Sequence, residues 1–111
     1  VYKRQVAPTL RLAGEVHDPL DLSITMRIRR GAETVFDGEA NTSRLHRSPQ
    51  ELVDYLVRAM TFPDGVVLST GTCLVPDLDA PVIDGDVVSI SVDGVGAMTN
   101  VVTPTSVLMG R

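Results

Sequence analysis

The sequence has 111 residues, enough for one domain or part of one. Hydrophobic residues make up 43% and charged residues 22%, which argues against low complexity and disorder. The net charge is −4, and Arg27, Arg29, Arg30, Arg44 and Arg47 have no interleaved aromatics to stack on bases, so nucleic-acid binding has little support.

Val1 stands where an initiator methionine is expected, and Tyr2-Lys3-Arg4-Gln5 matches nothing around it. Residues 1–5 are read as a truncation or expression scar, and residues 6–111 as the folded part. The pattern over residues 6–13 alternates weakly and predicts a strand, broken afterwards by Asp18-Pro19. Residues 21–30 alternate cleanly: Leu22, Ile24, Met26 and Ile28 are apolar, while Ser23, Thr25, Arg27 and Arg29 are polar. Period two means a strand with one buried face, and Gly31-Ala32 lets Thr34-Val35-Phe36 return as a hairpin partner.

Ser48-Pro49-Gln50-Glu51 combines a capping serine, a proline suited to the first helical position and a glutamate three residues on. Leu52, Tyr55, Leu56 and Ala59 then recur at helical spacing, with Asp54 and Arg58 set for an i,i+4 pair. A helix over about 49–60 follows, stopped by Pro63-Asp64-Gly65. Residues 66–69 read as a short strand and residues 71–81 as a loop. After the turn Asp84-Gly85-Asp86, residues 87–92 and 95–102 are strands joined by Asp93-Gly94, a two-residue hairpin signal. Strands, one helix, then strands make the fold class α+β, mostly β.

Each candidate for chemistry has a plainer reading beside it. Asp77 with Asp79, and Asp84 with Asp86, could offer oxygens to a hard cation, but aspartates in such loops serve backbone turns. Glu33, Asp37 and Glu39 share a strand face and read as a solvated edge. His17 and His46 lack metal-ligand spacing with another His or Cys. His46 lies in the polar run over residues 41–48, where Arg44 or Arg47 could grip a substrate carboxylate, although helix entry explains the run as well. Ser69-Thr70-Gly71-Thr72-Cys73 places hydroxyls and a glycine where a strand pattern gives way to a loop, a setting for anionic ligands. Cys73 is the only cysteine, so no internal disulfide and no cysteine-based zinc site can form, which suits a cytoplasmic compartment. Nothing adjacent in sequence marks it as a nucleophile. No apolar run approaches a membrane span.

Taken in order, these segments resemble the C-terminal half of the fumarylacetoacetate hydrolase family. The resemblance runs through Asp18-Pro19, the alternating strand, Phe36-Asp37-Gly38-Glu39 with Asn41-Thr42-Ser43, and the helix. It continues through Phe62-Pro63-Asp64-Gly65, Leu68-Ser69-Thr70-Gly71-Thr72, Asp84-Gly85-Asp86-Val87-Val88 and Gly94-Val95-Gly96-Ala97-Met98-Thr99-Asn100. It implies part of a rolled mixed β-sheet around the active site of a homodimer. It also implies an enzyme acting on 2-oxo acids with a magnesium or manganese ion: a C–C bond hydrolase of acylpyruvate type, a decarboxylase, an isomerase or a 2-keto-3-deoxy sugar acid dehydratase. The family's Gly-Thr falls on Gly71-Thr72, whose threonine would bind the substrate carboxylate by hydroxyl and backbone N–H, with Thr70, Arg44 and His46 as weaker candidates. Gly71-Thr72-Cys73-Leu74-Val75-Pro76 departs from the common Gly-Thr-Pro form and is similar to the dehydratase branch.

The family's metal ligands, a Glu-x-Glu pair and a downstream aspartate followed by a lysine, would lie before Asp18-Pro19, where this chain has too few residues. No metal ligand is therefore expected within the chain, no ion bound to it, and no activity from it alone. Half a rolled sheet also leaves open edges, so association is expected. The rival reading is a non-catalytic β-rich binding module.

Overall fold

A computed structural model describes residues 5–77 and 81–108 of the chain. Strand β1 (Ser23–Arg30) turns through Gly31-Ala32 into β2 (Glu33–Asn41), and β3 (Val87–Val92) pairs with β4 (Gly96–Val101) as a second hairpin. The hairpins join through β1 and β3, giving the order β2-β1-β3-β4. All of these pairings are antiparallel. Between the hairpins lie a short 3-10 turn (Thr42–Arg44), helix α1 (Pro49–Ala59) and a long irregular stretch. A four-residue helix, α2 (Thr105–Leu108), follows β4. The fold is α+β and mostly β, as the pattern predicts.

The alternation over residues 21–30 is what builds the sheet. Register sets Ile24, Met26 and Ile28 opposite Ala40, Gly38 and Phe36 on one side and Val92, Ile90 and Val88 on the other, so all share one face. Met26, Ile28 and Ala40 are the buried apolar residues among those described. The opposite face is polar: Arg27 donates twice to Asp37, at 3.0 and 2.8 Å, and the Ser89 and Thr99 hydroxyls lie 2.9 Å apart. Solvent screens the Arg27–Asp37 pair, which adds little to stability. Val35 is skipped between the pairs Ile28–Phe36 and Arg29–Thr34, a β-bulge that tightens the twist of β2.

Arg30 breaks the alternation by putting a charge in phase with Ile24, Met26 and Ile28. One step beyond the Arg29–Val87 pair, it meets Asp86, which is 0% exposed. Two guanidinium nitrogens donate to the two carboxylate oxygens at 2.9 Å each, and the Ile83 N–H donates to Asp86 Oδ2 at 2.9 Å. Arg30 also donates to the Pro81 carbonyl at 3.2 Å. The hydrogen bond from Arg30, with that from Ile83, pulls the Asp86 pKa from 3.8 to about 2 despite burial.

Several local expectations differ from the structure. Residues 6–13 form no strand: Pro8 has no N–H for a ladder, and Glu15 folds the chain back by accepting from the Leu12 N–H at 3.2 Å. Residues 66–69 also remain outside the sheet, with Val67 75% exposed, because a β-branched run needs a partner strand to become a ladder. The loop between β3 and β4 has three residues, Asp93 to Val95, and is closed by the Val95 N–H donating to the Val92 carbonyl at 3.1 Å. Asp54 does not pair with Arg58. It accepts from Gln50 at 2.8 Å, while the Arg58 guanidinium lies 4.6 Å from the Tyr55 ring centre.

Helix α1 begins as expected, with the Ser48 hydroxyl accepting from the Glu51 N–H at 3.2 Å and Pro49 in the first turn. None of its residues is fully buried, and Val53, Tyr55 and Val57 are exposed. With little packing to hold it, the helix depends on its cap. Ser48→Ala is expected to weaken α1 by about 1 kcal/mol, read as roughly fivefold faster amide exchange confined to that helix.

Candidate functional site

The stretch after α1 starts with a tight turn in which the Gly65 N–H donates to the Phe62 carbonyl at 3.1 Å. Residues 66–77 then run without regular structure. Gly71 has φ of +109°, a backbone conformation that L side chains rarely adopt, and nothing lies within 4 Å of where a Cβ would stand. Glycine is needed there for the path of the chain and not for space. The next residue, Thr72, is exposed, and its hydroxyl donates to the Leu74 carbonyl at 3.1 Å.

Leu74, half-buried like Pro76, ties this loop to the sheet. It reaches the apolar face of β2 at Gly38. A methyl group on Gly38 would stand 3.2 Å from Leu74 Cδ2, and 2.7 and 2.8 Å from two ring carbons of Phe36. Phe36 therefore lies over its glycine neighbour on the same face, and Leu74 settles beside it. Backbone freedom at Gly71, a short hydrogen bond at Thr72 and one apolar anchor at Leu74 together present Gly71-Thr72 to solvent.

The remaining predicted residues make no hydrogen bond to Thr72 among the described residues. Asn41 accepts from the Ser43 N–H at 2.8 Å and donates to Asp21 at 3.0 Å, while the Thr42 hydroxyl accepts from the Leu22 N–H at 2.9 Å. These bonds shape the turn carrying Arg44, which lines a shallow recess with Glu39, Ala40 and Asn41. Arg44, His46 and Thr70 are exposed, and none of the hydrogen bonds among the described residues links them to Thr72. His17 is exposed as well. The polar run shapes the turn and the helix cap through Asn41, Thr42 and Ser48.

No group of three or more His, Cys, Asp or Glu side chains able to hold a metal ion occurs among the described residues. Asp84 is exposed, whereas both oxygens of Asp86 are engaged by Arg30. That pair is turn and ion-pair chemistry, and Asp79 lies outside the described residues. The described residues do not fit a magnesium site. Cys73 is exposed and free. Among the described residues no helix is long and apolar enough to cross a membrane.

Two features escape the sequence reading: the Arg30–Asp86 pair and the seat of Leu74 on Gly38. A signal existed for the first, since a charge in phase with an apolar stripe needs a buried partner. Nothing local pointed to the second, because it joins residues far apart in the chain.

The model of the fumarylacetoacetate hydrolase C-terminal family matches residues 4–103. A probable 2-keto-3-deoxyxylonate dehydratase of Haloferax volcanii is 39% identical over 93% of this chain and 36% of its own length. A 2-dehydro-3-deoxy-D-arabinonate dehydratase of Saccharolobus solfataricus is 35% identical over 82% of the chain and 30% of its own. The solved structure of a 2-keto-3-deoxy-D-arabinonate dehydratase complexed with magnesium and 2,5-dioxopentanoate superposes with a TM-score of 0.82 at 34% identity. It covers 87% of this chain and 34% of that one. The chain spans about a third of the length of these relatives.

Proposed function

The chain belongs to the fumarylacetoacetate hydrolase family, and from that membership we propose that it is the C-terminal part of a 2-keto-3-deoxy sugar acid dehydratase. The observation that carries this reading is the relatives themselves: dehydratases align along 82–93% of the chain at 35–39% identity. The reaction would remove one water from a 2-keto-3-deoxy sugar acid. This segment's share is substrate binding: the Thr72 hydroxyl, released from the Leu74 carbonyl, and the Thr72 N–H donate to the substrate carboxylate.

A divalent cation in the intact protein is supported by the magnesium named with the related dehydratase structure. The residues described here do not fit such a site, so its ligands belong to another segment. The chain alone is then inactive. Its open form supports the same view: the radius of gyration is 16.2 Å, against about 13 Å for a compact domain of this length. Assembly of the intact enzyme as a homodimer in the cytoplasm completes the proposal. The single exposed Cys73, with no disulfide to preserve, suits that compartment.

The test is Thr72→Val in the full-length protein, with 2-keto-3-deoxy-pentonates as substrates. Loss of a hydrogen bond to a charged group should raise KM roughly ten- to hundredfold. Full-length wild-type protein that turns over none of these acids would defeat the dehydratase reading and leave another 2-oxo acid enzyme of the family or the non-catalytic binding module. An unchanged KM in the variant would remove Thr72 from the site.

A further inference from the structure

Resting on that reading, we infer that Gly38 is a positioning residue for the Gly71-Thr72 loop, acting through Leu74. Gly38 is in the middle of β2, paired with Met26, on a strand where glycine weakens local structure and usually marks a close approach. The close approach here has two parties. One is the Phe36 ring, two residues away on the same face, and the other is Leu74, which comes from the far side of α1. A side chain at position 38 would meet both.

The two contacts differ in what they can tolerate. The Phe36 ring carbons stand closest, at 2.7 and 2.8 Å, and the ring end must swing aside, whereas Leu74 Cδ2, at 3.2 Å, must give by a few tenths of an ångström. Leu74 seats the loop on β2 and is two residues from Thr72, so a displacement of its backbone is passed to Thr72 through the chain itself. Gly38→Ala therefore presses on Leu74 as well as on the Phe36 ring. The bare surface at position 38 is a socket whose depth sets where Thr72 stands.

The experiment is a double-mutant cycle in the full-length protein with Gly38→Ala, Thr72→Val and both together, following KM and kcat for the sugar acid. Gly38→Ala should raise KM on the order of tenfold while kcat changes less than about twofold, the mark of lost uniform binding. The double variant should be no worse than Thr72→Val alone, because both changes act on one contact. Additive effects, or a Gly38→Ala enzyme with normal KM, would overturn the inference. If Gly38→Ala fails to fold, Leu74→Ala decides: it removes the anchor without crowding the strand, and an unchanged KM overturns the inference. A normal KM in Thr72→Val defeats the functional reading itself. A raised KM there, with Gly38→Ala and Leu74→Ala normal, defeats only the socket.

Discussion

Arg30→Ala is expected to lower the melting temperature of the full-length protein by on the order of 10 °C at neutral pH, because it strands a buried carboxylate. Asp86 is sealed from solvent, and both its oxygens are held by the guanidinium. Without Arg30, among the described residues only the Ile83 N–H remains to it. The comparison variant is Asp37→Asn, which removes the exposed pair with Arg27 and should shift melting by little. The pH dependence has a definite sign. The folded carboxyl titrates at about 2 and the unfolded one at 3.8, so the unfolded chain binds the proton first. The contribution of the pair is complete above pH 3.8 and drains away as pH falls towards about 2. The gap between wild type and Arg30→Ala should accordingly be full at pH 7 and narrow steadily between those two values. A gap that stays constant down to pH 2 would show that the loss is packing of the arginine stem and not charge.

The second large effect concerns the cation. The 111-residue chain by itself is expected to take up no magnesium at millimolar concentration and to dehydrate no 2-keto-3-deoxy sugar acid. Among the described residues no three carboxylates, imidazoles or thiols converge, and the most tempting pair is spoken for by Arg30. Hard cations require several oxygens at once, which scattered surface aspartates do not supply. Isothermal titration calorimetry of the isolated chain, beside the full-length protein as the positive arm, reads this directly. A saturable heat with the isolated chain would place metal ligands on this segment and contradict the reading.

The sheet was legible where chemistry is local. Leu22, Ile24, Met26 and Ile28 announce β1 because a period of two has one interpretation once the polar positions are equally regular. Ser48-Pro49 announces α1 for a similar reason, since cap and proline act within one turn. Illegible were the segments whose state depends on a partner. Residues 66–69 carry strand-forming side chains, yet none of the described strands pairs with them, and residues 6–13 alternate but contain Pro8. Gly71 and Thr72 stand out in one dimension, as a glycine in a loop after hydroxyl residues and as the place where the family's Gly-Thr falls. Gly38 and Leu74 meet only after α1 has been traversed. The Asp84-Gly85-Asp86 turn was read correctly as a turn, but the deeper role of Asp86 came from a residue 56 positions away.

The position of β1 between β2 and β3 has a consequence for synthesis. β2 follows β1 after two residues, whereas β3 begins only at Val87, after α1 and the long loop have been made. A nascent chain thus holds a finished hairpin with Met26 and Ile28 lining a raw flank until the second hairpin emerges to cover it. Contacts this distant form slowly, and half-built sheets on neighbouring ribosomes can join one another meanwhile. The strand that is best shielded in the finished fold is the one left bare longest while the polypeptide is being translated.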